Sequence, residues 1–202
     1  MLLNQKLNKY KVILASKSPR RQHLIGELGV NFEVRLNSDT DESYPSYLSF
    51  NEIPIYLAQK KAEPFIKSLS ASEILITSDT IVWCDNTIVG KPIDRNDAVA
   101  ILHQLSDKKH VVVTGVMLTN GVKSKTFSAH TDVFFRKLTD EEIEYYVDTF
   151  KPFDKAGAYG IQEWIGYVGV ERIEGSYFNV MGLPVQKLYL ELSSFIDEIE
   201  NN

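Results

Sequence analysis

At 202 residues, against roughly 150 per domain, the chain calls for one large domain or two lobes sharing one sheet. Hydrophobic residues at 44%, charged residues at 24%, and ten phenylalanines with ten tyrosines to fill an interior exclude bulk disorder. The net charge of −5 argues against a general nucleic-acid binder, which needs a basic face to release counterions, so an anionic ligand must meet a local basic cluster. The single cysteine, Cys84, permits no internal disulfide and has no second thiolate for a metal site, so the chain reads as intracellular. No apolar run approaches the ~18 residues of a membrane span. The stretch Met1 to Tyr10 has neither signal-peptide nor transit-peptide character.

In chain order, Val12 to Ala15 reads as a short apolar strand. A loop then leads to a helix with Ser18 as N-cap and Pro19 at its first position, where a missing N–H costs nothing; Gly29 closes it. A second strand is expected over Phe32 to Leu36, followed by the acidic segment Ser38 to Ser43. Ile55, Ala58, Ala62, Phe65, Ile66 and Leu69 then share one face of a long helix. Ile74 to Trp83 is an apolar run interrupted by Thr77-Ser78-Asp79-Thr80, and Asp85-Asn86 turns it into Ile88-Val89 as a hairpin. Asn96 or Asp97 is the expected cap of a helix carrying Val99, Ile101, Leu102 and Leu105. His110 to Thr119 and Val122 to Arg136 form two long strands across Asn120-Gly121, the strongest short hairpin signal. Thr139 with Glu142 makes a capping box for a helix through Tyr146. A small-residue loop runs from Lys151 to Gln162, a further strand pair is expected over Tyr167 to Val180, and Pro184 opens the last helix. The pattern is α/β, with hairpins that imply a mixed sheet.

Several residues break local rules. Arg20 and Arg21 fall in the first turn of a helix, where the positive end of the dipole disfavours cations by about 0.3–1 kcal/mol each. Either they hold an anion, with phosphate the usual occupant of such a site, or they are solvated arginines reaching away. Asp79, inside an apolar strand, must be paired, metal-bound or directed at a cleft. Lys91 is a single loop cation, and Lys61 on the apolar-striped helix matches either a ligand or a snorkelling surface lysine. The segment Phe153 to Gln162 holds two glycines and two alanines, so its backbone can approach a ligand closely. The histidines His23, His103, His110 and His130 lack metal-ligand spacing. Cys84 lacks a basic neighbour that would activate it, and no nucleophile elbow or Walker lysine motif is present.

Together, Leu14-Ala15-Ser16-Lys17-Ser18-Pro19-Arg20-Arg21, Ser78-Asp79-Thr80, Gly90-Lys91-Pro92, Asp154 through Gln162, Gly175-Ser176-Tyr177 and Gly182-Leu183-Pro184 resemble the Maf family of nucleoside triphosphate pyrophosphatases, from about Val12 to Ile196. The resemblance implies an elongated two-lobed mixed β-sheet flanked by helices, similar to the inosine triphosphate pyrophosphatases, with an active cleft between the lobes. It also implies hydrolysis of a nucleoside triphosphate to the monophosphate and pyrophosphate, a divalent cation (Mg²⁺ or Mn²⁺), a cytoplasmic setting and a homodimer. By resemblance, Asp79 accepts the proton of the attacking water. Glu42, Lys61 and Lys91 complete the catalytic set, Glu42 and Asp79 are the metal candidates, and Ser16, Arg20, Arg21, Thr80, Lys155 and Gln162 bind substrate. Arg20, Thr80 and Gln162 match the branch acting on dTTP and UTP rather than the one acting on methylated GTP. A Gln amide offers one donor and one acceptor to a pyrimidine imide, whereas Glu suits guanine. A departure from the family pattern falls at Trp164, Ile165 and Tyr167. The alternative outside enzymology is a nucleotide-sensing regulator of cell division with little turnover.

Overall fold

A computed structural model describes residues 1–37 and 41–201 of the chain; Ser38, Asp39 and Thr40 of the acidic segment lie outside the described residues. The first strand, β1 (Lys11–Leu14), runs between β2 (Phe32–Val34) and β3 (Glu73–Cys84), parallel to both. Parallel neighbours with covered faces explain why Val12, Ile13 and Leu14 are buried in succession instead of alternating. At its far end β3 turns back into β4 (Thr87–Val89) through Asp85 and Asn86, both at positive φ, and pairs antiparallel with Val82 opposite Val89. Positive φ at both positions is what a tight hairpin needs and what Asn and Asp tolerate. The sheet continues through β5 (Lys109–Thr119), β6 (Ser124–Phe135) and β7 (Val170–Glu174) in the order β2-β1-β3-β5-β6-β7, seven strands among the described residues with β4 on β3. The β6–β7 pair is antiparallel, so the sheet is mixed, as the hairpin signals imply. Asn120 makes the β5–β6 loop by accepting through Oδ1 from the Val122 and Lys123 amides at 3.1 and 2.8 Å.

The chain divides into two compact units. The first comprises Met1–Asp79, Thr114–Ala129 and Gly182–Asn202; the second comprises Thr80–Val113 and His130–Met181. Three of the four boundaries therefore fall inside β3, β5 and β6, and the fourth follows Met181. The first unit carries α1 (Leu3–Lys6), α2 (Pro19–Glu27), α3 (Ile53–Ile66) and α8 (Val185–Glu200). Its core packs Ile13, Leu75 and Met117 from the strands against Ala58, Ala62 and Phe65 of α3. Close seating of that helix depends on Gly115 of β5, where a Cβ would lie 2.3 Å from the Pro54 carbonyl carbon. In the second unit, α4 (Arg95–Leu105) and α5 (Asp140–Phe150) bury Leu102, Leu105, Ile143 and Val147 with Val133, Phe135 and Tyr159. The short helices α6 (Trp164–Gly169) and α7 (Tyr177–Met181) belong to this unit as well.

Local signals hold where the chemistry is local. Ser18 caps α2 by accepting from the Arg21 amide, Pro19 is its first residue, and Thr139 with Glu142 forms the capping box of α5. Two expectations fail. The cap of α4 is Asp94, which accepts from the Asp97 amide at 2.8 Å, while Asp97 accepts from Ile93 N at 2.9 Å; the acidic residue one turn earlier takes the free donor first. The expected strand pair over Tyr167 to Val180 is a single strand, β7, between α6 and α7. Gly175 at φ +134 ends it, and Ser176 Oγ accepts from Asn179 N at 3.3 Å to begin α7. The N-terminal stretch forms α1 and a short 3-10 turn that bury Leu3 and Leu7. Lys6 anchors it to Asp197 of α8 at 2.6 Å.

Candidate active site

The loop from β1 to α2 is tied to the start of its helix. Ser16 is buried, its Oγ accepts from Ser18 N at 3.2 Å, and its carbonyl accepts from Gln22 Nε2 at 3.1 Å. Arg20 and Arg21 occupy the first turn as the sequence implies. Arg21 Nε donates to the Gly182 carbonyl at 2.8 Å, which fixes one edge of a half-buried guanidinium. Burial pulls that guanidinium below its ordinary pKa, and the carboxylates of Asp79 and Glu42 oppose the shift. Pro19 has no N–H and Ser18 takes the Arg21 amide, so the positive locus suited to an anion comes from the two guanidiniums and the helix dipole.

The centre of this unit is Lys61. Its Nζ lies 2.5 Å from Asp79 Oδ1 and 3.1 Å from Glu42 Oε1, with the lysine side chain 16% exposed. Thr77 Oγ1 donates to the Ala58 carbonyl at 2.6 Å, which fixes the register of β3 against α3. Residues two apart share a strand face and residues three apart share a helix face. Asp79 follows Thr77 by two and Lys61 follows Ala58 by three, so the contact repeats one step further on as an ion pair. The odd carboxylate in the apolar run is therefore paired, and Lys61 is a shared counter-ion instead of a snorkelling lysine. A second pair that the sequence did not flag, Lys60 with Asp41 at 2.9 Å, holds the segment bearing Glu42 to α3. The Ser43 hydroxyl and Lys60 keep the Asp41 carboxyl well below the usual range.

In the second unit, Thr80 is half-buried and follows Asp79 on β3, while Lys91 is exposed on the loop after β4. That loop is joined to the small-residue segment by Gly157 N donating to the Gly90 carbonyl at 2.9 Å. Gly157 sits at φ +74, which favours glycine, and a Cβ there would press on the Val82 side chain at 3.0 Å. Lys155 is buried, with Nζ 2.7 Å from Asp154 Oδ1 and 3.2 Å from Glu163 Oε1. Gln162 is half-buried, and its Oε1 is buried without a hydrogen-bond partner. A Cβ on Gly160 would come within 2.9 Å of Gln162 Nε2 and 2.8 Å of Glu163 Cδ. Glu163 and Tyr146 escaped the sequence reading: one sits on a turn and the other occupies an apolar position of α5.

The groups set aside remain outside both clusters. His110 is buried, with Nε2 2.8 Å from Tyr159 Oη and edge-on ring contacts to Phe135 and Tyr159; burial lowers its pKa to about 4. Burial and the neighbouring Asp85 raise the Cys84 thiol, which gives it no nucleophilic character. Among the described residues no three His, Cys, Asp or Glu side chains are grouped to hold a metal ion by themselves.

A mixed α/β sheet with a strand carboxylate, a helix lysine and a loop carboxylate meeting at one ammonium defines a polar, carboxylate-rich site of a kind suited to metal-assisted phosphate chemistry. The chain belongs to the Maf-like protein family, whose model matches residues 11–195. It is 56% identical over 191 residues to the dTTP/UTP pyrophosphatase of Parabacteroides distasonis, covering 95% of this chain and 99% of that one. It is 48% identical over 191 residues to the dTTP/UTP pyrophosphatase of Porphyromonas gingivalis, covering 94% and 96%. Among solved structures, the HAM1 protein of Coxiella burnetii shares the fold, with a TM-score of 0.52 and 12% identity over 92% of this chain and 99% of that one.

Proposed function

We propose that the chain is a nucleoside triphosphate pyrophosphatase that hydrolyses dTTP and UTP to the monophosphate and pyrophosphate. The observation that carries the reading is the Asp79–Lys61–Glu42 arrangement in a chain so similar to proteins named for this activity. Asp79 takes the proton of a water attacking the α-phosphate in line, which requires a carboxylate held in fixed orientation. Lys61 supplies that orientation, and its remaining N–H can donate to a phosphate oxygen. A triphosphate brings about four negative charges, and Arg20 and Arg21 of the first unit offer it local cations against the acidity of the whole chain. Small hard cations bind through one or two carboxylates plus substrate phosphates, so Glu42 and Asp79 fit Mg²⁺ or Mn²⁺ without a third protein ligand. When bound, that cation would neutralise phosphate charge and make a water more acidic.

In the second unit, the unsatisfied Oε1 of Gln162 suits the N3–H of a thymine or uracil imide, and Nε2 suits the adjacent ring carbonyl. Thr80 adds a hydroxyl to the same recognition. The reading extends to a homodimer working in the cytoplasm; among the described residues no helix is long and apolar enough to cross a membrane.

The test is pyrophosphate release from dTTP, UTP, CTP, GTP, methylated GTP and ATP, with and without Mg²⁺ or Mn²⁺. Activity should be metal-dependent and highest on dTTP and UTP. Asp79→Asn should still bind nucleotide while kcat falls by about 10²–10⁴, and Gln162→Glu should lose the pyrimidine preference. A ranking led by methylated GTP would overturn the substrate assignment. Nucleotide binding without turnover in the wild type would point to the regulator, and full turnover by Asp79→Asn would remove the base assignment.

A further inference from the structure

Tyr146 and Glu163 belong to no role considered so far, yet they meet in a part-buried hydrogen bond of the second unit. Tyr146 is fully buried in α5, and its ring stacks on Phe150 at 5.1 Å. Its hydroxyl donates to Glu163 Oε2 and accepts from the Gly160 amide at 3.0 Å. The other oxygen of Glu163 faces Lys155 Nζ at 3.2 Å, and the Glu163 amide donates to the Gly160 carbonyl at 2.9 Å. One carboxylate thus ties together a helix, a buried lysine and the turn of residues 160–163. Gln162 lies inside that turn. The side chains of Gln162 and Glu163 both crowd the space that a Cβ on Gly160 would take, so the two pack side by side over the same glycine. A carboxamide whose acceptor is buried and unsatisfied would ordinarily rotate toward the nearest donor, since an unmade hydrogen bond costs about 1–3 kcal/mol. Gln162 Oε1 has no such partner here.

We infer that Glu163 is a positioning residue: clamped by Tyr146 and Lys155, it holds the 160–163 turn so that Gln162 presents an uncommitted carboxamide to the pyrimidine base. The inference rests on the dTTP/UTP reading for its substrate. Burial and the adjacent Glu163 carboxylate push the Tyr146 hydroxyl far above its ordinary pKa, so it remains a proton donor in the clamp throughout the working range of pH. Lys155 then has two of its three N–H donors engaged by carboxylates, and it acts on the base-reading turn as much as on any phosphate.

The test is steady-state kinetics of Glu163→Ala and Glu163→Gln on dTTP, UTP and CTP, with thermal unfolding to establish that each variant is folded. Glu163→Ala should raise KM for dTTP by about tenfold and shrink the preference for dTTP over CTP by a similar factor, with kcat within about twofold of wild type. Glu163→Gln keeps an acceptor for the Tyr146 hydroxyl and should recover most of the lost discrimination. A folded Glu163→Ala with unchanged KM and unchanged preference overturns the inference, as does a fall in kcat alone. Should the wild type release no pyrophosphate from pyrimidine nucleotides, the functional reading fails separately. The clamp is then judged from hydrogen exchange at the Gly160 amide, which should lose protection in Tyr146→Phe; unchanged protection overturns it.

Discussion

Each unit places a poorly exposed lysine between two carboxylates, yet the two arrangements are built differently. Lys61 projects from α3 and Asp79 from β3, and the pair is aligned by the backbone register that Thr77 and Ala58 establish. Lys155 and Glu163 both stand on turns, aligned by a hydroxyl from α5. Regular elements hold a group to a fraction of an ångström and suit bond-breaking chemistry, whereas a braced turn can be retuned by single substitutions and suits recognition. The first arrangement is accordingly where turnover should fail, and the second is where substrate choice should change.

That contrast can be broken at four places. Lys61→Met removes the counter-ion of the proposed base, and kcat should drop by about 10²–10³ with a smaller change in KM, as when one preorganised donor is removed from a reactive centre. A larger effect on KM than on kcat would erase the distinction between the units. Next in size is the acid response of the second unit. His110 titrates at about 4 in the fold, lowered from 6.5 by burial, so between those values the unfolded chain binds more protons than the folded one. Stability therefore falls as pH drops from 6.5 toward 4 and is unaffected by this group above 6.5. The loss is about 3 kcal/mol, and denaturant unfolding of His110→Gln across that window should show the slope removed. Lys155→Met should do the opposite of Lys61→Met, raising KM about tenfold with kcat nearly preserved. Smallest is Thr139→Ala, which takes the cap from the helix that carries Tyr146 and should cost about 1 kcal/mol of stability in thermal unfolding.

What the sequence made legible divides along the same line. Ser18-Pro19, Thr139 with Glu142, and Asp85-Asn86 act within a few residues of themselves, so their roles could be read directly, and each recurs in the fold. Asp79 was conspicuous because a carboxylate among isoleucines and valines needs a reason. Its partner was not: Lys61 is 18 positions away on another element, and a lysine on a striped helix is an ordinary sight. The stretch from Tyr167 to Val180 misled because aromatic and β-branched residues alternate there as in a strand, while Gly175 and Ser176 divert the backbone into α7. The clamp of Tyr146 and Glu163 left no local trace, because each residue suits its own element and only the packing of α5 against the turn joins them.

Gly115 shows how far such dependence reaches. A position with no side chain, far along the chain from both members of the pair, sets how deeply α3 beds against β5. A single methyl group there would lift the start of the helix, and Lys61, two turns along the same rod, would swing with it as the end of a lever does. The spacing between ammonium and carboxylate is thus governed by an empty place, and selection acting on the reaction would be felt at a residue that never meets the nucleotide.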